Sequence, residues 1–201
     1  VPKIIGSTLA EHRQQVRQKL FTALAELMGE RGFDSVTLAQ IAARAKVGRT
    51  SVYNHFPDKE ALLLAFIEHE TGEFVTNMRA ALVGVEDPEE QLRVYVRAQL
   101  LLQHPYHFAP GPSLASVVSR DTVARLGEHV REVAQLLRSI LSAGIEHGGL
   151  PEQDVSAVVP LIHSCLQSRT LPLNPVEREQ AIETITAFVL RAVGAREVTA
   201  A

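Results

Sequence analysis

The run Thr37-Leu-Ala-Gln-Ile-Ala-Ala-Arg-Ala-Lys-Val-Gly-Arg-Thr-Ser-Val-Tyr-Asn-His-Phe-Pro-Asp-Lys-Glu-Ala-Leu62 decides the fold, because it reads as two short helices around a tight turn. Its left end encodes a helix start. Thr37 can cap, Gln40 stands at N3 to complete a capping box, and Val36 at N′ can staple onto Ile41 at N4. Leu38, Ile41, Ala42 and Ala45, spaced by three and four, form the face the first helix buries, with Gln40, Ala43 and Arg44 left outside. Lys46-Val47-Gly48 makes the turn. The second helix, Arg49 to His55, directs Val52 and Phe56 inward and leaves Arg49, Thr50, Ser51, Tyr53, Asn54 and His55 with few structural duties. Such side chains on a short helix behind a tight turn suit a DNA major groove and its flanking phosphates.

The preceding segment completes a three-helix unit, since Val16, Leu20, Leu24, Leu27 and Met28 form an apolar stripe that ends at Gly32 and Phe33. Residues 8–65 resemble the DNA-binding domain of the tetracycline-repressor (TetR) family of transcriptional regulators. The resemblance rests on Thr37, Ile41-Ala42 with Ala45, Val47 in the turn, and Val52-Tyr53-x-His55-Phe56-x-x-Lys59-Glu60-x-Leu62, all without a gap. Three positions depart from the family pattern: Lys46 replaces a usual Gly, Gly48 a capping Ser, and Thr50 a common Gly. A non-glycine residue at positive φ costs about 1 kcal/mol, and Gly caps a helix within a few tenths of Ser, so the motif tolerates both. The resemblance implies an all-α protein: an N-terminal three-helix bundle with a helix-turn-helix, residues 1–60, and a larger C-terminal helical ligand-binding and dimerisation domain, residues 61–201.

Composition agrees with a globular chain of that size. The 201 residues are 46% hydrophobic and 21% charged, enough for a self-sufficient core that buries about 70% of the unfolded surface. No apolar run approaches the about 20 residues that span a bilayer. Val1-Pro-Lys-Ile-Ile-Gly-Ser holds no secretory apolar stretch, and the single Cys165 fits a reducing compartment; a cytoplasmic protein is expected. The net charge of −3 conceals a separation. Residues 1–59 carry nine basic and five acidic side chains, +4, and the remainder carries eleven and eighteen, −7. A cationic head on an anionic body favours one orientation toward a polyanion.

Helical patterning continues to the end, for about nine helices in all. Asp58 and Glu60 open a fourth helix that runs to Gly84, and Asp87-Pro-Glu-Glu90 opens a fifth that stops before Pro105. His104-Pro-Tyr-His-Phe-Ala-Pro-Gly-Pro112 is irregular, and a short sixth helix follows at Ser113. The seventh spans about Asp121 to His147 and ends at Gly148-Gly149. The eighth, Asp154 to Ser168, contains Pro160, and the ninth is capped by Asn174 and ends before Gly194. These last two carry more apolar residues than one buried face of a monomer requires. The family precedent is a dimer interface made by the last two helices, here with Val158, Ile162, Ile182, Ile185, Phe188 and Val189.

The expected partners are a double-stranded DNA operator, a small-molecule effector and a second copy of the chain, with no membrane. By match to the family motif Thr37, Tyr53, His55 and Lys59 meet phosphates; Lys46 and Ser51 do so by chemistry and location. Arg49, Thr50 and Asn54 are the base readers, Arg forking onto guanine, Asn onto adenine and Thr touching a thymine methyl. Family members bind effectors among the later helices, which makes Phe66, Phe74, Tyr95, Gln99, Gln103, Tyr106, Phe108, His163 and Cys165 the pocket candidates; few charges fall there, so a mostly hydrophobic effector is expected. No cofactor is expected. His104, His107, His163 and Cys165 lack the short regular spacing of a zinc site, and nucleophile-elbow, metalloprotease, phosphate-loop and dinucleotide motifs are all missing, so an enzyme is not expected. The alternative is a helical small-molecule-binding or scaffold protein without an operator.

Overall fold

Among the residues described by the computed structural model, 9–101, 114–166 and 171–195, every regular element is an α-helix. They run α1 (Leu9–Arg31), α2 (Leu38–Arg44), α3 (Arg49–His55), α4 (Lys59–Leu82), α5 (Pro88–Leu101), α6 (Leu114–Val117), α7 (Arg120–Glu146), α8 (Val155–Leu166) and α9 (Pro175–Ala192).

Helix starts coincide with capping side chains. Asp58 Oδ1 accepts from the Ala61 amide at 2.8 Å, Asp87 Oδ1 from Glu89 at 3.2 Å, and Asp154 Oδ1 from Ser156 at 2.9 Å. Asn174 Oδ1 accepts from Val176 and Glu177 ahead of Pro175, whose missing N–H suits the first helical turn. Stops are equally local: Gly32 and Gly84 both sit at φ 79°, the left-handed conformation that ends a helix at little cost only for glycine. Pro160 lies inside α8 on its exposed side, removing the N–H that would reach the Ser156 carbonyl.

By packing, the chain divides into two compact units: residues 1–69 with 104–126, and residues 70–103 with 127–201. The first has its core on Leu20, Leu24, Leu27, Met28, Ile41, Val52, Phe56, Leu62 and Leu63, with Val117, Val118 and Leu126 packed against it. The second is built on Met78, Leu92, Tyr95, Leu137, Leu141, Ile162 and Val189. Within it α5 packs on α8 and α9, and the Arg97 guanidinium of α5 forks onto the Glu179 carboxylate of α9. Each fully buried aliphatic side chain contributes about 1.5–3 kcal/mol relative to exposure, so these two clusters hold the fold. Among the described residues no helix is long and apolar enough to cross a membrane.

Candidate nucleic-acid interface

The helix-turn-helix is assembled by short-range bonds. Thr37 Oγ1 accepts from the Gln40 amide at 3.3 Å while Gln40 Oε1 accepts from the Thr37 amide at 2.9 Å, the reciprocal pair of a capping box. Such a cap stabilises a helix by about 1 kcal/mol. α2 then buries Leu38, Ile41 and Ala42, and Val36 and Ile41 share the same core. It ends in a left-handed turn at Lys46, φ 55°, the one non-glycine residue of positive φ among those described. The Val47 amide returns to the Ala42 carbonyl at 2.9 Å and the Lys46 amide to Ala43 at 3.2 Å, a closure that normally employs glycine. Gly48, at φ −60° and ψ 139°, then starts α3.

α3 is seated by Val52 and by Phe56, which are both buried. The Arg17 guanidinium of α1 lies 5.3 Å from the Phe56 ring centroid and 5.5 Å from that of Phe21, adding cation–π attraction to the apolar contact. With its inner face held, α3 leaves Arg49, Thr50, Tyr53 and Asn54 exposed along one side; Ser51 and His55 are half-buried, and Thr37 and Lys46 are exposed nearby in the motif. Burial, and then the charges of Arg17, Arg13 and His12, hold the His55 pKa below the ordinary histidine value. A neutral imidazole still offers one N–H donor. Arg13 and Arg17 received no role from the sequence, although their four-residue spacing on α1 puts both on one helix face.

Two basic residues of the head are engaged by other groups of the protein. The Lys59 Nζ donates to the carbonyls of Phe33 at 3.0 Å, Asp34 at 3.1 Å and Val36 at 3.1 Å, and sits 4.6 Å from the Phe33 ring centroid. An ammonium has three protons. In the protein without DNA, Lys59 thus has a carbonyl acceptor for each of its protons. Arg44 of α2 forks onto Glu30 of α1, Nη1 to Oε1 at 2.8 Å and Nη2 to Oε2 at 3.0 Å, and Nη1 also reaches Glu26 at 3.0 Å. At the start of α4, Glu60 Oε2 accepts from the Thr122 hydroxyl at 2.6 Å and the Ser119 amide at 3.1 Å, bonds that hold its carboxyl below the usual range.

The expected effector residues divide differently. Phe66 belongs to the core of the first unit, 5.8 Å from Phe21 between ring centroids, which removes it from the cluster in the second. Gln103, Tyr106 and Phe108 lie outside the described residues, as do His104 and His107. In the second unit Phe74 and Tyr95 meet edge-on at 6.4 Å. The Tyr95 hydroxyl lies 2.7 Å from His163 Nε2 and accepts from Gln99 Nε2 at 3.1 Å; Cys165 is half-buried in the same unit. Burial raises the Tyr95 pKa and lowers that of His163, so both groups are neutral. Among the described residues no group of three or more metal-ligating side chains assembles.

The expected dimer residues also separate by facing. Ile162, Ile182 and Val189 are buried in the monomer core, so they are not available to a second copy. Val158 of α8 and Ile185 of α9 are half-buried, Phe188 of α9 is 54% exposed, and Leu161 of α8 is 68% exposed.

The family model for bacterial regulatory proteins of the tetR family matches residues 20–66, from the middle of α1 into α4. The HTH-type transcriptional activator FasR of Mycolicibacterium smegmatis is 33% identical over 86 residues, which are 43% of this chain and 39% of that relative, so the chain matches less than half of its length. Among solved structures, the fatty acid degradation regulator FadR from Bacillus halodurans superposes with a TM-score of 0.74 at 19% identity, covering 90% of this chain and 97% of that one. FadR from Bacillus subtilis, solved in complex with stearoyl-CoA, gives 0.68 at 18% identity, covering 88% and 95%. At such identities these likenesses bear on the fold. The architecture and the open side of α3 define a helix-turn-helix protein whose helical body follows its head. Within that class the head, residues 20–66, is similar to the tetR family of bacterial regulatory proteins.

Proposed function

We propose that the protein is a ligand-responsive transcriptional regulator, acting as a repressor in the cytoplasm: two copies bind a palindromic operator, and a small, mostly hydrophobic effector releases them. The observation that carries this reading is the exposed quartet Arg49, Thr50, Tyr53 and Asn54 on a helix whose opposite side is locked by Val52 and Phe56. Arg49, Thr50 and Asn54 read base edges; Thr37, Lys46, Ser51, Tyr53, His55 and Lys59 meet phosphates. Residues 1–60 serve as the DNA-binding head, and residues 61–201 bind the effector and the second copy.

Exposed Leu161 and Phe188 support dimerisation through α8 and α9, which would set two recognition helices about 34–36 Å apart, one helical turn of DNA. The Tyr95, Gln99 and His163 cluster beside Phe74 supports an apolar effector with a small polar end. Among the described residues no Lys or Arg is buried, so an anionic group would find no buried cation. FadR from Bacillus subtilis binds stearoyl-CoA, and acyl-CoA thioesters therefore belong in any screen.

The test is a footprint on the DNA upstream of the protein's own gene, repeated across a metabolite library that includes uncharged lipids and acyl-CoAs. Palindromic protection lost with one compound class supports the reading; the absence of protected palindromes in that region counts against it. Sedimentation of Phe188→Glu beside wild type tests the interface: a wild-type dimer and a monomeric variant are expected, and a wild-type monomer would exclude the paired arrangement.

A further inference from the structure

Arg13 and Arg17 of α1 stand beside the last residue of α3. The Arg17 guanidinium lies 5.3 Å from the ring centroid of Phe56, and the His55 ring lies 6.2 Å from that of the same Phe56. Arg13, four residues before Arg17 on the same helix face, and its neighbour His12 are both exposed. The charges that act on His55 are those of Arg17, Arg13 and His12, all from α1, and no carboxylate is among them. Among the described residues neither arginine pairs with a carboxylate, whereas Arg44 and Arg97 each fork onto a glutamate. A ring contact leaves the N–H fork of a guanidinium without an oxygen acceptor. Two guanidiniums and two imidazoles are thus gathered with donors unused, an arrangement that an anion would complete.

We infer that this flank of α1 is a phosphate seat outside the helix-turn-helix: Arg13 and Arg17, with His12 and His55, hold the DNA backbone beside the groove that α3 enters, and filling the seat draws a proton from water onto His55. In the free protein burial, and then the three neighbouring charges, disfavour an imidazolium at position 55. A phosphate among the same groups opposes those charges and favours the imidazolium, which donates from both ring nitrogens. The complex therefore holds a proton that the free protein lacks, and affinity rises as pH falls between the free and the bound pKa of His55. The inference rests on the DNA-binding reading, to which it adds a second helix and a proton.

The experiment measures the affinity of the full chain for mixed-sequence duplex DNA across salt and pH series, with the His55 imidazole followed by NMR. Arg17 also packs on Phe21 and Phe56, so exposed Arg13 is the position to vary. Arg13→Gln is expected to lower the slope of log affinity against log salt by about 0.9. Lys19→Gln, about 200° around α1 from Arg17, should leave that slope at the wild-type value. For wild type, log affinity should rise by up to about one per pH unit as pH falls through the window between the two pKa values, and His55→Gln should flatten the rise. The His55 pKa should climb when duplex is added. An equal climb with inorganic phosphate, at a matched concentration of phosphate groups, would mark a site for free anions and overturn the assignment to the DNA backbone. Equal slopes for the Arg13 and Lys19 variants, or a pH dependence that survives in His55→Gln, would overturn the seat or its proton while duplex binding by wild type stands. A wild type that ignores duplex at low salt would remove the DNA-binding reading itself, and the seat with it.

Discussion

The Tyr95 hydroxyl and His163 Nε2 lie 2.7 Å apart inside the second unit, and the same hydroxyl accepts a hydrogen bond from Gln99 Nε2. With Gln99 donating to the oxygen, the phenol proton goes to His163, whose own proton then sits on Nδ1. The trio is therefore a directional chain from amide to phenol to imidazole. Tyr95→Phe removes its middle member and leaves two partly buried polar groups without their partner, a change expected to cost about 1–3 kcal/mol in urea unfolding.

The same cluster makes stability depend on pH. Burial lowers the pKa of His163 in the folded protein, while in the unfolded chain it stays near about 6.5. Below that value the unfolded state binds the extra proton first, so stability is full above it and falls as pH drops toward the folded pKa. Unfolding midpoints measured from neutral to mildly acid pH should decline for wild type and decline less for His163→Gln. A residual slope is expected from His55, whose pKa is also lowered, chiefly by burial.

Lys46 carries a left-handed backbone at φ 55°. Lys46→Gly relieves that conformation at the expense of a more flexible unfolded chain, so a net gain of about 0.5–1 kcal/mol is expected from chemical denaturation. If its ammonium also meets a phosphate, the salt slope for duplex binding falls by about 0.9 in the same variant. A more stable protein that binds DNA less tightly would be the combined signature.

Arg44 joins α2 to α1 through Glu30 and Glu26 on the exposed side of the head, and this pairing holds the Glu30 carboxyl below its usual range. Arg44→Ala should lower the melting temperature at low ionic strength, with the difference shrinking in high salt as screening removes the lost attraction. An effect insensitive to salt would point to packing by the arginine stem as its source.

Arg49 and Asn54 differ from these residues in what their loss should do. Arg49→Ala is expected to cost about 1–3 kcal/mol on the preferred site and to relax selection at one base position, while leaving melting unchanged. Selection of binding sites from a random library checks both parts.

The helix-turn-helix was legible because each of its signals is local. The capping box of Thr37 with Gln40 and the left-handed turn at Lys46 depend on neighbours within five residues and both are realised, and Val36 and Ile41 are buried in one core. The carbonyl contacts of Lys59 were not legible for the opposite reason: its partners lie 23 to 26 residues earlier, and a lysine after a basic motif carries no mark of where it points. Arg44 with Glu30 and Glu60 with Thr122 are likewise products of tertiary packing. On α8 and α9 the difficulty was periodicity itself. Apolar residues nearly encircle α8, so spacing could not say that Ile162 faces the core while Leu161 faces out.

Glu60 receives its two bonds from Ser119 and Thr122, and Val117, Val118 and Leu126 rest against the same core as Val52 and Phe56. The head is thus finished by a stretch of chain made long after its own helices, which has a bearing on anyone who would splice it. A fragment cut at residue 69 would expose greasy patches that the intact chain keeps covered, so chimaeras that graft this reader onto a foreign sensor should carry residues 114–126 along with it.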